Sequence, residues 1–195
     1  MTSGERPIEL NLQQLRQSYA ELRIIEKKRL AQLRWSLKRY GQQSSVLVVA
    51  SEEADRYVLI DGYLRVMALE QLGWDTVRAL PLRLCERQAL VLCHRAEPVW
   101  RRTELEQGWL VRLLSDRHNE GVDKIARYLG QSSSWVQRRL TLVRQLPESE
   151  QALVRQGILS PYAAVRRCPA TPLTRKNAGS QGLSAGRPLP PPAPR

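Results

Sequence analysis

The stretch GVDKIARYLGQSSSWVQRRLTLVRQLP, residues 121–147, constrains this 195-residue chain more than any other. Ile125, Ala126 and Leu129 fall on one face of a short helix, and Ala126 is small where a second helix must cross closely. Gly130 lets the chain turn, and Ser132 is suited to cap the helix that follows. Val136 and Leu140, one turn apart, face back inward. This spacing predicts a helix-turn-helix. The alternative is an ordinary helical hairpin with a Gly turn.

In a helix-turn-helix the second helix enters the major groove. Its exposed early positions are expected to be Ser133, Ser134, Gln137 and Arg138. Gln and Arg make two-pronged contacts to base edges, and Ser reaches phosphates or bases. Arg127, Arg139 and Arg144 suit backbone contact or pairing within the protein. Trp135 is expected to pack against the core rather than stack on a ligand.

Charge points the same way. The formal net charge is +12, which favours a polyanionic partner. Between Gly41 and Ser115 acids and bases nearly cancel, so the excess sits in the flanking segments. Cys85, Cys93 and Cys168 are odd in number, lack metal-ligand spacing and follow no signal peptide, so a reducing cytoplasm is expected. His94 and His118 are too few for a His-based metal site, and no apolar run approaches membrane-spanning length.

Elsewhere the periodicity predicts an α+β fold. A short strand in IELNLQQL precedes a helix over Arg23–Tyr40, with Leu30, Leu33, Leu37 and Tyr40 inward and Gly41 as its C-cap. Two strands flank the polar turn Ser51–Asp55. The stretch LIDGYLRVMALEQLG then reads as strand end, turn and helix, with Leu64, Ala68, Leu69 and Leu72 buried and Gly73 capping. DTVRALPLRL is the next strand, with Pro81 marking an edge or an end. From there the pattern is helical. Helices are expected over Glu86–Ala96, halted by Pro98, and over Thr103–His118, with Leu105, Trp109, Leu113 and Leu114 on one side. Thr103 and Glu106 would form a capping box. Pro147 is expected at the first position of a later helix, and Ser160 and Pro161 open another. The expected division is a small α/β domain over 1–84, an all-α domain over 85–167, and a disordered, basic, Pro-rich tail over 168–195.

From about Ile8 to Arg166 the sequence resembles the ParB-like partition proteins, including the KorB type. The resemblance is carried by SLKRYGQQSSVLVV, YVLIDGYLRVMALEQLGWDTVRAL, LEQGWLVRLL and IARYLGQSSSWVQRRLTLVRQLP, in that order. It implies a ParB/sulfiredoxin-like α/β domain followed by a helix-turn-helix domain. It further implies binding to a palindromic double-stranded DNA site, a CTP- and Mg²⁺-dependent switch with slow hydrolysis, a homodimer and a Walker-type ATPase partner. The setting implied is bacterial, cytoplasmic and nucleoid-associated. The family's C-terminal dimerisation segment is expected to be absent, with the Pro-rich tail in its place.

The family's phosphate motif reads Gly-Glu-Arg-Arg-x-Arg-Ala. Gly62, Arg65 and Ala68 match it, while Tyr63, Leu64 and Met67 replace the Glu and two of the Arg. Gly41 and Gln42 match the family's early Gly-Gln. The nucleotide-contacting set implied by resemblance is therefore Gly41, Gln42, Gly62 and Arg65. A triphosphate needs several fixed cationic donors, so weak or absent nucleotide binding is expected. In sulfiredoxins the same turn holds the reactive Cys. Here it reads Gly62-Tyr63-Leu64-Arg65, with no such nucleophile. The expected protein is a non-catalytic, sequence-specific DNA binder. It would act in partition, in regulation of a plasmid or mobile element, or in transposition. Two alternatives stand beside it: a CTP-dependent DNA clamp with slow CTPase activity, and a ParB-like nuclease. The nuclease would need clustered carboxylates, for which Asp61 and the turn acids Glu52, Glu53 and Asp55 are the candidates.

Overall fold

The computed structural model describes residues 6–96 and 102–167. The chain enters as strand β1 (Ile8–Asn11), makes one 3-10 turn over Leu12–Gln14, and continues as β2 (Leu15–Arg16). Helix α1 (Lys27–Tyr40) leads into β3 (Val46–Ala50), β4 (Tyr57–Asp61), α2 (Tyr63–Gln71) and β5 (Thr76–Leu82). Six helices follow: α3 (Glu86–Ala96), α4 (Glu104–Asp116), α5 (Val122–Leu129), α6 (Ser133–Gln145), α7 (Glu148–Arg155) and α8 (Pro161–Arg167). The fold is α+β, a mixed sheet followed by helices.

The sheet runs β1-β5-β3-β4-β2. β3 pairs antiparallel with β4 and parallel with β5, while β1 pairs antiparallel with β5 and β2 parallel with β4. β1 and β2 thus sit on opposite edges although only Leu12–Gln14 separates them. Four strand spacings are about 19 Å, whereas the four peptide steps from Asn11 to Leu15 reach at most about 15 Å. The sheet must therefore curl so that its edges approach. The linking turn is pinned across that gap: the Leu12 N–H donates to the Asp75 carbonyl (2.8 Å) and Arg56 donates to the Gln13 carbonyl (2.8 Å). β5 is an internal strand, and Pro81 lies in its last residues, past the Thr76–Ala79 stretch that pairs with β1. A residue without an N–H is tolerated there.

α1 begins at Lys27, later than the Arg23 start expected from periodicity. The preceding amides are drawn into tertiary bonds: Ile24 N–H donates to Glu106 Oε1 (3.2 Å) and Ile25 N–H to the Arg155 carbonyl (2.8 Å). Leu30 and Leu37 are buried and Leu33 is half-buried, but Tyr40 lies outside the stripe. In α2 the buried residues are Tyr63, Val66, Ala68 and Leu69, with Leu64 and Leu72 only half-buried. The helix is covered by both α1 and β3, so its buried face is displaced from the one read from the leucines.

The capping box of α4 forms as expected. Thr103 Oγ1 accepts from the Glu106 N–H (3.2 Å), and Glu106 Oε2 accepts from the Thr103 N–H (2.9 Å). α4 is buried almost all round, from Leu105 to Val111, with Leu113 half-buried. It packs against α6, α5 and the Ala20–Leu22 turn, which makes it the central helix of the molecule. Pro147 stands at the N-cap of α7 rather than at its first helical position; its carbonyl accepts from the Glu150 and Gln151 N–H groups, both at 3.1 Å. α3 packs on β4 and on α5, joining the sheet to the helices. Pro98, Cys168 and the 168–195 tail lie outside the described residues.

Candidate nucleic-acid interface

α5 and α6 are joined by three residues, Gly130 to Ser132. Gly130 adopts the left-handed conformation (φ 65°) that the turn requires, and the Gln131 N–H closes back on the Ala126 carbonyl at 2.9 Å. Ser132 Oγ then caps α6 by accepting from the Trp135 N–H at 3.2 Å. Ile125, Ala126 and Leu129 of α5 and Val136 and Leu140 of α6 are all buried, as their spacing requires.

α6 is held in place from the side by α4. A Cβ on Gly108 would stand 2.5 Å from Val143 Cγ1 and 2.9 Å from the Arg139 carbonyl oxygen, so the two helices touch backbone to backbone there. From below, α7 supplies Gln151, only 1% exposed. Its Nε2 donates to the Val143 (2.9 Å) and Leu146 (2.7 Å) carbonyls, and its Oε1 accepts from the Trp109 indole N–H (2.6 Å). The residue that would normally bond the Val143 carbonyl is Pro147, which has no N–H. The Gln151 amide fills that place.

The remaining side chains of α6 divide by helical angle. Ser134, Gln137, Arg138, Thr141 and Gln145 fall on one arc, all exposed, away from the Val136, Leu140 and Val143 face. Among the described residues Gln137 and Arg138, with Arg127 on α5, make no side-chain hydrogen bond or ion pair. Thr141 and Gln145 extend this face beyond the residues picked from the sequence. The signal that finds them is the same three-to-four spacing from Gln137 and Arg138.

Three other sequence candidates are engaged internally. Ser133 was expected to be exposed; it is half-buried, and its hydroxyl donates to Asp123 Oδ1 in the first turn of α5 (2.6 Å). Arg139 turns toward α4, where it donates to Gln107 Oε1 (2.9 Å) and pairs with Glu104 (3.1 Å). Burial lowers its pKa and Glu104 opposes that. Arg144 pairs with Asp116 (3.3 Å), both partners about half exposed. Trp135 packs beside the His94 ring and under the Arg139 guanidinium, as a packing residue. α5 is tied to α3 by Arg87, which pairs with the buried Glu120 and donates to the Tyr128 hydroxyl (3.3 Å). Lys124 adds a second pair to Glu120 (2.8 Å).

The turn at the start of α2 is the second candidate. Gly62 has φ 104°, and a Cβ there would sit 2.6 Å from Val46 Cγ1. Arg65 reaches back across it to donate to the Ser45 carbonyl (3.2 Å). Burial pulls the Arg65 pKa down, Asp61 opposes this, and Arg29 of α1 adds to it. Asp61 itself pairs with Arg23 (2.9 Å). Arg23, missed in the sequence, therefore joins Arg65 beside this turn. Its pairing with Asp61 is a tertiary contact with no local sign in the sequence. Gln42 bonds the strand β5: its Nε2 donates to the Arg78 carbonyl and its Oε1 accepts from the Arg78 N–H, each at 2.7 Å. Gly41, beside it, has φ 68°.

Tyr63, in the same turn as Gly62, is buried. Its hydroxyl donates to the Leu59 carbonyl (2.5 Å), and burial pushes its pKa well up. A phenol so held is a poorer nucleophile than a free one. Glu52, Glu53 and Asp55 are all exposed, and Glu53 pairs with Arg16 (2.9 Å). Among the described residues no three His, Cys, Asp or Glu converge as a metal-ligand group, and no helix is long and apolar enough to cross a membrane.

Residues 1–94 match the ParB N-terminal domain family. The N-terminal half of the chain is thus similar to ParB. The ParB-like fold extends past that domain: a structure of a Pnob8-like ParB-N domain superposes over 82% of this chain and 85% of its own, with TM-score 0.50 and 15% identity. The nucleoid occlusion protein of Oceanobacillus iheyensis is 25% identical over 149 residues, covering 74% of this chain and 51% of that protein. The C-terminally truncated chromosome-partitioning protein ParB from Caulobacter crescentus, solved with the centromeric parS site, is 22% identical, covers 85% of this chain and 86% of its own, and gives a TM-score of 0.43. The chain spans about half the length of the curated relatives it matches.

Proposed function

We propose that this protein binds double-stranded DNA sequence-specifically by seating the outer face of α6 in the major groove. The observation that carries the reading is the division of labour on α6. Gln137 and Arg138 stand exposed on one face, while Arg139 and Ser133 are spent on holding the helix to α4 and α5. Gln137 matches the donor–acceptor pair of adenine and Arg138 the paired acceptors of guanine. Ser134 and Arg127 flank them and suit phosphates. Arg144 can join them at small cost, because exposed pairs such as Arg144–Asp116 are worth only about 0–1 kcal/mol. A single α6 reads only a few base pairs, so the working form is a homodimer on a paired site, with half-sites about one helical turn apart. The resemblance favours a role in partition or in control of a plasmid or mobile element, on the nucleoid in the cytoplasm, with a Walker-type ATPase as the partner.

Arg138→Ala and Gln137→Ala are each expected to reduce discrimination between the preferred site and a site mutated at the contacted base, by about 1–3 kcal/mol. Competition binding against single-base variants measures this. Equal loss on every sequence would make both residues phosphate contacts and remove α6 as the reader.

A nucleotide-gated form of the same reading has one observation in its favour: Arg23 and Arg65 both approach the Gly62 turn. Both are already committed, Arg23 to Asp61 and Arg65 to the Ser45 carbonyl. Binding of CTP with Mg²⁺ is accordingly expected to be weak, with little heat in calorimetric titration below millimolar nucleotide. A micromolar Kd, lost in Arg65→Ala, would establish the gated form instead.

A further inference from the structure

The outer face of α1 has no role in anything described above. Between Lys27 and Tyr40 the helix carries six basic residues and no acidic one. Its inward stripe is Leu30, Leu33 and Leu37, packed toward α2. On the arc opposite that stripe stand Lys28, Gln32, Trp35 and Arg39, spaced four, three and four residues apart and all exposed. Trp35 is 60% exposed and Tyr40 55%. Their rings meet edge to face, with centroids 6.0 Å apart, and the Arg39 guanidinium sits 5.5 Å from each. A Trp and a Tyr so exposed bury little apolar area and contribute little to the core.

We infer that this face is a binding site for single-stranded nucleic acid, with Trp35 as a stacking platform for an unpaired base and Lys28 and Arg39 as phosphate contacts. The charge commits the occupant to a polyanion. The exposed indole then selects among polyanions. Duplex DNA keeps its bases stacked and shows an indole nothing but its backbone, whereas a single strand offers the face of each base. Aromatic side chains set among cations are the arrangement that single-strand binders use. The site is separate from α6, and the inference does not rest on the duplex-binding reading.

The test uses the full chain and labelled oligonucleotides, dT20 and rU20, followed by fluorescence anisotropy. Trp35→Ala is expected to weaken binding about tenfold or more, and Trp35→Phe to restore most of it. Tyr162→Ala removes another exposed aromatic, 67% exposed and stacked with Arg166, and is expected to change nothing. Lys28→Ala with Arg39→Ala should weaken binding and flatten its salt dependence, because phosphate contacts are lost. A preference for dT20 or rU20 in these arms identifies the strand type. The inference is overturned if Trp35→Ala binds both oligonucleotides as the parent does. It is also overturned if unlabelled duplex competes equally well in parent and variant, which would make the face a charge contact only. Loss of concentration-dependent self-association in Trp35→Ala, with oligonucleotide binding unchanged, would assign the face to a second copy of the chain and equally overturn it.

Discussion

Gln151→Leu is expected to lower the stability of the protein by about 3 kcal/mol or more, although it replaces a polar side chain with an apolar one of similar size. The site is 1% exposed, so the usual expectation is that a buried Leu improves on a buried Gln. Here the reverse holds because both ends of the amide are used. Removing it orphans the Val143 and Leu146 carbonyls and the Trp109 indole N–H together. Each buried polar group left without a partner costs about 1–3 kcal/mol. The Pro147 ring closes off the obvious remedy, since no backbone N–H follows to take the Val143 carbonyl. Gln151→Glu should be at least as damaging at neutral pH, because it sets a carboxylate oxygen against two carbonyls. Urea unfolding of the parent and both variants measures this. A loss under about 1 kcal/mol for the Leu variant would mean that the amide does not anchor α6.

Gly108→Ala carries the second large effect, and its sign is the informative part. Gly in the middle of a helix costs about 1 kcal/mol against Ala by propensity alone. Propensity therefore predicts stabilisation. Contact predicts the opposite: the new methyl would lie 2.5 Å from Val143 Cγ1 and 2.9 Å from the Arg139 carbonyl oxygen. The first atom belongs to a side chain, but the second is backbone and moves only if α6 moves. Overpacking of this kind typically costs about 1–3 kcal/mol, so the net effect should be destabilising and duplex binding should weaken with it. Adding Val143→Ala should relieve one clash and not the other, giving partial rescue in a double-mutant cycle. A gain of about 1 kcal/mol from Gly108→Ala would show that α4 and α6 are not in backbone contact.

Both residues show where the sequence was readable and where it was not. Local chemistry was readable. Glu86–Ala96 is a helix to the residue, the Thr103–Glu106 capping box forms, Gly130 turns the chain, and Ser132 caps α6. Each depends on neighbours within one or two turns. The apolar spacing of α5 and α6 likewise places the right residues inward. What failed depends on contacts made across the fold. Nothing in the local sequence of α7 marks Gln151 for burial. The structure buries Gln151 and Val154 and leaves Leu153 39% exposed, because the α6 carbonyls and the indole need an amide. Arg139 and Arg144 read alike as basic residues of a DNA-facing helix. Only α4 distinguishes the Arg139 pair, half-buried against Glu104, from the exposed Arg144 pair. Ser133 carries no sign of Asp123, ten residues earlier. At the Gly62 turn, matching the motif position by position found Arg65. It could not find Arg23, which reaches the same place from another part of the chain. The splitting of β1 and β2 onto opposite edges is also a property of closure, with no local signal.

The most direct test of the duplex-binding reading is selection from a randomised duplex library with the full chain at near-physiological salt, run in parallel with Arg138→Ala and Gln137→Ala. The expected result is one enriched motif, symmetric or repeated at about one helical turn, whose information content drops at a guanine position in the Arg138 variant and at an adenine position in the Gln137 variant. Binding to the enriched site should fall steeply as salt rises, as counterion release requires. No enriched motif, or the same motif at full strength in both variants, would contradict the assignment of α6 as the element that reads DNA.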